Sequence, residues 1–483
     1  MRMNKQMIRG ALLVLLLGTT ALANQPNIVF FFIDDMGWKD WSGGGSDYFE
    51  TPNIDRIANQ GMTFTQGYVN AANCAPSRCA LLTGQYPPRN DFYTVKSIHR
   101  GNPKMDRLSL ADVPESNVMP LERTTFAEAM KKAGYRTGMY GKWHVGHTPG
   151  EQGFDDVNDR GGDNKRGPIR NDDPKQIFTY TRNAMEFAEE SVSAGKPFLI
   201  YLAHHAVHIR HEARPDTFEL YKKKKGGAFH DTVKPIYGAM MSDLDTSIGM
   251  MLDKLEQLGI QDDTVIIFLS DNGGPPDNGA SQAPLRSWKG CYYEGGIRVP
   301  FLVSWPGKIK AGTVDDTPVM AIDLYPTMLE LAGVKDLDAH LDGYAIDGES
   351  LLPVLLGTGD LKERSLFWHF PAYLVGKEKY TGARDYPKYR QQPVSVIRRG
   401  DWKLMMYMEE WSLDGGFEKR DVNNSLELYH LKTDIGESKN LALKNPEMRD
   451  RLLAELLEWQ KSIGAPIPKA PNSKLVTKRD EQD

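Results

Sequence analysis

The run Asn27–Ile33 is almost continuously apolar and is followed at once by Asp34-Asp35. Runs of this kind belong to strands buried on both faces of a sheet. Segments 198–202, 264–269 and 299–304 read the same way. Between them lie helical patterns at 125–132 (ended by Gly134), 178–192, 236–258 (ended by Gly259) and 324–331. Short apolar runs alternating with helical segments predict an α/β sheet. Stretch 155–173, rich in Gly, Asp and Asn, reads as a loop, and no internal repeat is visible. After about Pro353 the pattern changes. Segments 394–397, 402–407 and 426–429 look like hairpin strands and 446–462 like a closing helix, which predicts a smaller antiparallel sheet with a helix packed on it.

The start of the chain predicts its destination. Arg2, Lys5 and Arg9 form a basic region, Ala11 to Leu17 an apolar core, and Ala21-Leu22-Ala23 a small-x-small cleavage site. Residues 1–23 therefore read as a secretory signal peptide, too short in its apolar part to span a bilayer. No later segment approaches the ~20 apolar residues of a membrane helix. The expected organisation is a signal peptide at 1–23, an α/β domain at 24–353 and an α+β subdomain at 354–483. The protein is expected to be exported, to the periplasm or the medium. A net charge of −5 over 483 residues argues against a nucleic-acid partner. The run Lys222 to Lys225 reads as a solvated loop, with a patch steering an anionic polymer as the alternative. Three cysteines cannot build a disulfide framework; Cys79 and Cys291 are either a pair or two free thiols.

Chemistry is concentrated where strands end. Ile33 runs into Asp34-Asp35, and Leu269-Ser270 into Asp271-Asn272-Gly273-Gly274. In open α/β sheets ligands bind outside the carboxyl ends of strands, so both clusters can face one crevice. Three carboxylates and an amide oxygen form a hard, oxygen-only set suited to Ca²⁺ or Mg²⁺ rather than zinc. Asp-Asp and Asp-Asn-Gly are also turn formers, and each pair taken singly is open to that reading.

Cys74-Ala75-Pro76-Ser77-Arg78, continued by Leu81-Leu82-Thr83-Gly84, resembles the signature of the type I, formylglycine-dependent sulfatases, arylsulfatase-like. Other segments are similar to that family in the same order: Asn27-Ile28-Val29 through Asp34-Asp35-Met36-Gly37, Thr51-Pro52-Asn53-Ile54-Asp55, Gly141-Lys142-Trp143-His144-Val145-Gly146, and Trp288-Lys289-Gly290 with Glu294-Gly295-Gly296-Ile297-Arg298-Val299-Pro300. The resemblance implies an alkaline-phosphatase-like large mixed sheet flanked by helices. It implies that Cys74 is oxidised to Cα-formylglycine by a formylglycine-generating enzyme. It also implies a divalent cation, Ca²⁺ before Mg²⁺, held by Asp34, Asp35, Asp271, Asn272 and residue 74. Arg78, Lys142, His144, His208 and Lys289 complete the implied site. One segment departs from the family pattern. Where Ala-Pro-His-x-Pro is usual, this chain has His204-His205-Ala206-Val207-His208-Ile209-Arg210-His211. His208 aligns with the sulfate-binding histidine, and His204, His205 and His211 remain substitutes. Arg210 is either an exposed arginine or an extra contact to an acidic sugar.

The implied reaction is hydrolysis of a sulfate monoester, on a sulfated carbohydrate in the leading reading. The alternatives are a phosphate mono- or diester hydrolase of the same superfamily and a non-catalytic sulfated-glycan-binding protein. The hydrated aldehyde at 74 is the implied nucleophile, helped by Asp271. His208 is the implied general acid, and His144 holds the second hydroxyl. Lys142, Lys289 and Arg78 supply fixed positive charge, with Lys142, Lys289 and His208 on the substrate. Pro76 suits the first turn of a helix ending at Gly84, which places residue 74 just before the positive end of the helix dipole. Trp38, Trp41, Trp143, Trp288, Tyr292 and Tyr293 are either sugar-stacking or core aromatics. His99 and Arg100 are candidates for the pocket rim.

Overall fold

In the computed structural model the described residues are 25–95, 110, 113–159, 172–225, 233–275, 279–375, 389–469 and 471. The signal-peptide reading of 1–23, and His99 with Arg100, lie outside them, as does most of the predicted loop at 155–173.

The core is an eight-stranded sheet in the order Asp156–Asn158, Arg136–Gly141, Phe198–Ala203, Asn27–Ile33, Thr264–Ser270, Phe301–Ser304, Gly61–Phe64, Thr313–Asp315. Every neighbouring pair is parallel except those made by Phe301–Ser304, which runs against both its neighbours and makes the sheet mixed. Side chains of Asn27–Ile33 alternate between two cores. Ile28, Phe30 and Phe32 pack with Cys79, Leu82, Phe126, Met130 and Leu324, on the face that carries helices Cys74–Thr83, Phe126–Lys132 and Leu324–Leu331. Val29, Phe31 and Ile33 pack with Ile54, Tyr180, Leu244 and Ile248, from helices Pro52–Asn59, Ile177–Ser193 and Pro235–Gln257. A strand covered on both faces has no polar side to alternate, which explains the unbroken apolar run. The architecture is alkaline-phosphatase-like, as the sequence implied.

Local signals place the helix ends. Thr125 and Glu128 form a capping box, with Glu128 N–H donating to Thr125 Oγ1 at 3.1 Å and Thr125 N–H to Glu128 Oε2 at 2.7 Å. Helix Cys74–Thr83 stops at Gly84, whose φ of 65° is left-handed. This helix begins two positions before Pro76, so residue 74 lies inside its first turn and not ahead of it as expected. Pro76 is tolerated there because the N–H it lacks has no intrahelical partner in that turn. The Lys222 to Lys225 run also differs from the predicted loop: it ends helix Pro215–Lys223, with Lys222 paired to Glu219 and Lys224 to Glu50. Among the described residues no helix is long and apolar enough to cross a membrane.

The C-terminal part is an antiparallel sheet, Ser365–Phe370, Val394–Arg399, Trp402–Tyr407, Leu426–His430, with helix Pro446–Ser462 packed on it. A buried charge cluster joins it to the larger sheet. Lys403 Nζ lies 2.9 Å from Glu294 Oε1 and 2.8 Å from Glu437 Oε1, and all three side chains are fully buried. Glu437 Oε2 accepts the Glu294 N–H at 2.7 Å, while Tyr68 Oη donates to Glu294 Oε2 at 2.6 Å. The short helix Glu294–Ile297 held this way presents the Gly296 carbonyl to the Gly273 N–H at 3.0 Å, directly beside Asn272.

Candidate active site

Register decides where the acids meet. Ile33 pairs with Ser270, so the next residues of the two strands, Asp34 and Asp271, emerge side by side. The Asp271 N–H donates to Ile33 O at 2.9 Å, Asp35 N–H to Asp271 Oδ1 at 3.1 Å, and Asn272 Nδ2 to Asp35 Oδ1 at 2.7 Å. The buried helix Cys74–Thr83 brings its first residue to the same place: ligand atoms of Asp34, Cys74 and Asp271 all lie within 4.8 Å of one another.

Cations close the cluster. Lys142 Nζ is 2.6 Å from Asp34 Oδ2, Lys289 Nζ 2.5 Å from Asp35 Oδ1, and Arg78 Nη2 2.7 Å from Asp271 Oδ2. Arg78 also donates through Nε to Asp271 Oδ2 at 3.0 Å and through Nη1 to Lys142 O at 3.0 Å. It is wholly buried and committed to these partners. Lys142 follows Gly141, whose φ of 112° and close approach to Ala203 exclude a side chain: an added Cβ would lie 2.0 Å from Ala203 O. His208 Nδ1 donates to Ile209 O at 2.6 Å, leaving Nε2 toward the acids, 3.7 Å from Asp35 Oδ2. Asp35 and His144 both hold φ near 68°, in the left-handed region that non-glycine residues rarely adopt.

Burial would raise Asp34, but Lys142, His208, Arg78 and Lys289 outweigh it and hold its carboxyl well below the usual range. Asp35 goes the same way, burial being overcome chiefly by Lys289 and His208. Asp271 moves oppositely: burial and the charge of Asp34 push it up by more than Arg78 pulls it down. Both lysines are raised despite burial, Lys142 chiefly by Asp34 and Lys289 chiefly by Asp35. Burial, Lys142 and Arg78 lower His144 to about 3, so its imidazole is neutral. Among the cysteines, burial raises Cys291 to about 11 and raises Cys79 further, whereas at Cys74 the lysines outweigh burial and lower the thiol. None of the three is in a disulfide, so of the two readings left open for Cys79 and Cys291 the structure has them unpaired.

The acids fit a hard cation. Asp34 Oδ1 and Asn272 Oδ1 are buried with no hydrogen-bond partner among the described residues. Each orphaned acceptor costs about 1–3 kcal/mol, and oxygen-coordinated Ca²⁺ or Mg²⁺ would satisfy both. A divalent charge would also relieve the mutual repulsion that raises Asp271.

The remaining candidates sort by position. His204 and His205 are buried against Tyr180, and His211 packs on Tyr237, leaving His208 as the histidine whose ring meets the acids. Arg210 is exposed. Trp41, Trp143, Tyr292 and Tyr293 are core, while Trp38 and Trp288 are partly exposed. Sequence reasoning did not find Ser270, Asp40 or Tyr237. Ser270 Oγ accepts the Met36 N–H at 3.1 Å and donates to Asn272 O at 2.9 Å, which ties the two acidic loops together. The serine ends its strand just before Asp271-Asn272, and nothing local marks it.

Strand-tip acids, a helix that starts on a cysteine and lysines aimed at the acids make an arrangement able to hold a cation and receive an anionic ester, on an alkaline-phosphatase-like scaffold. The sequence matches the Sulfatase family over residues 26–334 and the N-sulphoglucosamine sulphohydrolase C-terminal family over 288–462. It is 33% identical to N-acetylgalactosamine-6-sulfatase of Mus musculus, over 91% of this chain and 86% of that one. It is 32% identical to a sulfatase of Formosa agariphila, over 89% and 87%. The crystal structure of Ps i-CgsB in complex with k-i-k-neocarrahexaose superposes with a TM-score of 0.70 at 25% identity, covering 90% of this chain and 92% of that one. The chain belongs to the sulfatase family and is a sulfuric ester hydrolase. Membership implies a formylglycine and a metal ion.

Proposed function

We propose that this sulfatase removes sulfate from a carbohydrate ester, with residue 74 as formylglycine and Ca²⁺ held by Asp34, Asp35, Asp271 and Asn272. The observation that carries the reading is the convergence of Cys74, Asp34 and Asp271 within 4.8 Å, flanked by two protonated lysines. Support for a carbohydrate comes from N-acetylgalactosamine-6-sulfatase and from the sugar-bound structural neighbour.

When bound, the cation supplies Lewis acidity and the hydrated aldehyde at 74 supplies an oxygen nucleophile. Lys142 Nζ and Lys289 Nζ bind the sulfonyl oxygens and follow their charge as it grows. Arg78 fixes the Asp271 carboxylate by holding Oδ2 with two N–H groups. His208 Nε2 carries the proton to the departing alkoxide, its ring oriented by the Nδ1 bond to Ile209 O. His144, kept neutral by burial and by Lys142 and Arg78, would be free to take a proton from the modified residue at 74. Lys142, Lys289 and Arg78 each pair with one of the three carboxylates, so a bound divalent cation would add net positive charge that favours an anionic ester. The reading includes export through the leader at 1–23.

Two measurements test it. Mass spectrometry of the peptide carrying residue 74 should show a loss of about 18 Da, thiol sulfur replaced by an aldehyde oxygen. Sulfated mono- and oligosaccharides should turn over faster than matched phosphate esters. An intact thiol in fully active enzyme, or faster phosphate turnover, would refute the reading.

A further inference from the structure

Asp35 is an expensive residue to hold in place: its φ of 68° costs of order 1–3 kcal/mol unless its surroundings impose it. Three consecutive backbone N–H groups fix the turn, and each donates to a side chain. Asp35 N–H goes to Asp271 Oδ1 at 3.1 Å, Met36 N–H to Ser270 Oγ at 3.1 Å, and Gly37 N–H to Asp40 Oδ2 at 2.8 Å. The first two acceptors belong to the neighbouring strand end. The third does not, and it is the one that reaches outward.

Asp40 is fully buried and accepts two further bonds. Tyr237 Oη, from the helix Pro235–Gln257, donates to Oδ2 at 2.6 Å, and the Ser281 N–H to Oδ1 at 2.9 Å. Ser281 lies beyond Asn272-Gly273-Gly274 on the other acidic loop, and its carbonyl accepts the Lys39 N–H at 3.2 Å. Gln282 adds a parallel tie, accepting the Trp38 N–H at 3.1 Å and donating to Gly274 O at 3.3 Å. The two loops approach so closely here that a Cβ on Gly274 would lie 3.0 Å from Gly37 Cα. One carboxylate thus clamps both acidic loops to each other and to the longest helix described.

We propose that Asp40, anchored by Tyr237, is a positioning residue that sets the affinity of the cation site by holding Asp35 in its left-handed conformation. The proposal rests on the reading of Asp34, Asp35, Asp271 and Asn272 as cation ligands. Asp40 touches neither cation nor substrate; it acts through the turn. Asparagine at this position keeps the volume but turns one acceptor into a donor facing an N–H or hydroxyl. Phenylalanine at 237 removes only the hydroxyl that anchors the carboxylate.

The test is calcium titration calorimetry on chelator-stripped full-length protein, with residue 74 in the same state in every sample, and melting of each apo form alongside. Wild type should bind Ca²⁺ at one site and Asp34→Asn should lose it. Asp40→Asn should weaken Ca²⁺ by about 10–100-fold, the range for groups that orient ligands, and Tyr237→Phe by about 3–10-fold. Should Asp40→Asn not fold, Tyr237→Phe decides alone. Dissociation constants within twofold of wild type in the variants that fold would overturn the proposal, and lower apo melting temperatures beside them would leave Asp40 purely structural. If wild type bound neither Ca²⁺ nor Mg²⁺, the ligand reading itself would fail, a result distinct from the first.

Discussion

Glu437→Gln should stabilise this protein above neutral pH and leave it nearly unchanged near pH 4.5. Glu437 and Glu294 share one ammonium, Lys403, with no exposure to solvent. Burial, joined by the Glu294 charge, raises Glu437 to about 7 against the pull of Lys403. Glu294 goes the other way: burial is outweighed by Lys403, Arg298 and Arg398, and it sits at about 2. Because the folded value of Glu437 is above its ordinary 4.5, its contribution to stability is complete below pH 4.5 and is lost as pH rises through about 7. Glu294 contributes above pH 4.5 and loses that contribution only as pH falls through about 2, outside this window. At about 1.4 kcal/mol per pH unit, the interval from 4.5 to about 7 amounts to about 3 kcal/mol. Glutamine has the shape of the protonated acid and does not titrate. The variant should therefore gain about 3 kcal/mol over wild type at pH 8 and little at pH 4.5. With an unfolding entropy of about 1 kcal/mol/K for a chain of this size, melting should rise by about 3 °C at the higher pH only. Thermal melts of both proteins at pH 4.5, 6, 7 and 8 measure it. A difference that does not change with pH, or a variant less stable at pH 8, would refute the reasoning.

Other substitutions probe the site directly. Gly141→Ala should cost more than the roughly 1–3 kcal/mol of its φ of 112° alone, since the new Cβ would also lie 2.0 Å from the backbone oxygen of Ala203; thermal melting shows the loss, and turnover should fall as Lys142 is displaced. Lys289→Met removes one of two ammonium groups at the acids and should lower kcat on an aryl sulfate by about 100–1000-fold; a change below fivefold in steady-state assays would exclude a transition-state role. Chelation should abolish turnover and lower the melting temperature. Re-addition of Ca²⁺ to about 100 times its Kd should restore activity and about 2.7 kcal/mol of stability, read by differential scanning fluorimetry.

Much of the scaffold was legible because its signals are local. Asn27–Ile33 and Thr264–Ser270 announce burial by composition alone, Thr125 and Glu128 write their own helix start, and Leu324–Leu331 has the predicted ends. Strand Arg136–Gly141 was missed because Arg136, Gly138 and Gly141 interrupt its apolar character. The edge strands Asp156–Asn158 and Thr313–Asp315 are short and polar, with solvent on one side, and carry no comparable pattern. In the C-terminal sheet, Val394–Arg399, Trp402–Tyr407 and helix Pro446–Ser462 followed expectation, while Ser365–Phe370 was not foreseen.

For the site, the sequence by itself determined the inventory: which acids follow strands, which cysteine lies near a helix start, which lysines and histidines accompany them. Residue type and spacing fix what chemistry is available, and these are properties of short segments. The tertiary structure decided the alignments. Pairing Ile33 with Ser270 brings Asp34 beside Asp271, residues separated by more than two hundred positions. The same fold selects His208 over its neighbouring histidines, spends Arg78 on Asp271, and recruits Asp40, Tyr237, Lys403 and Glu437 as supports. A hydrogen bond or ion pair depends on distances of a few ångströms between segments far apart in the chain, and only packing of the whole sheet against its helices sets those distances.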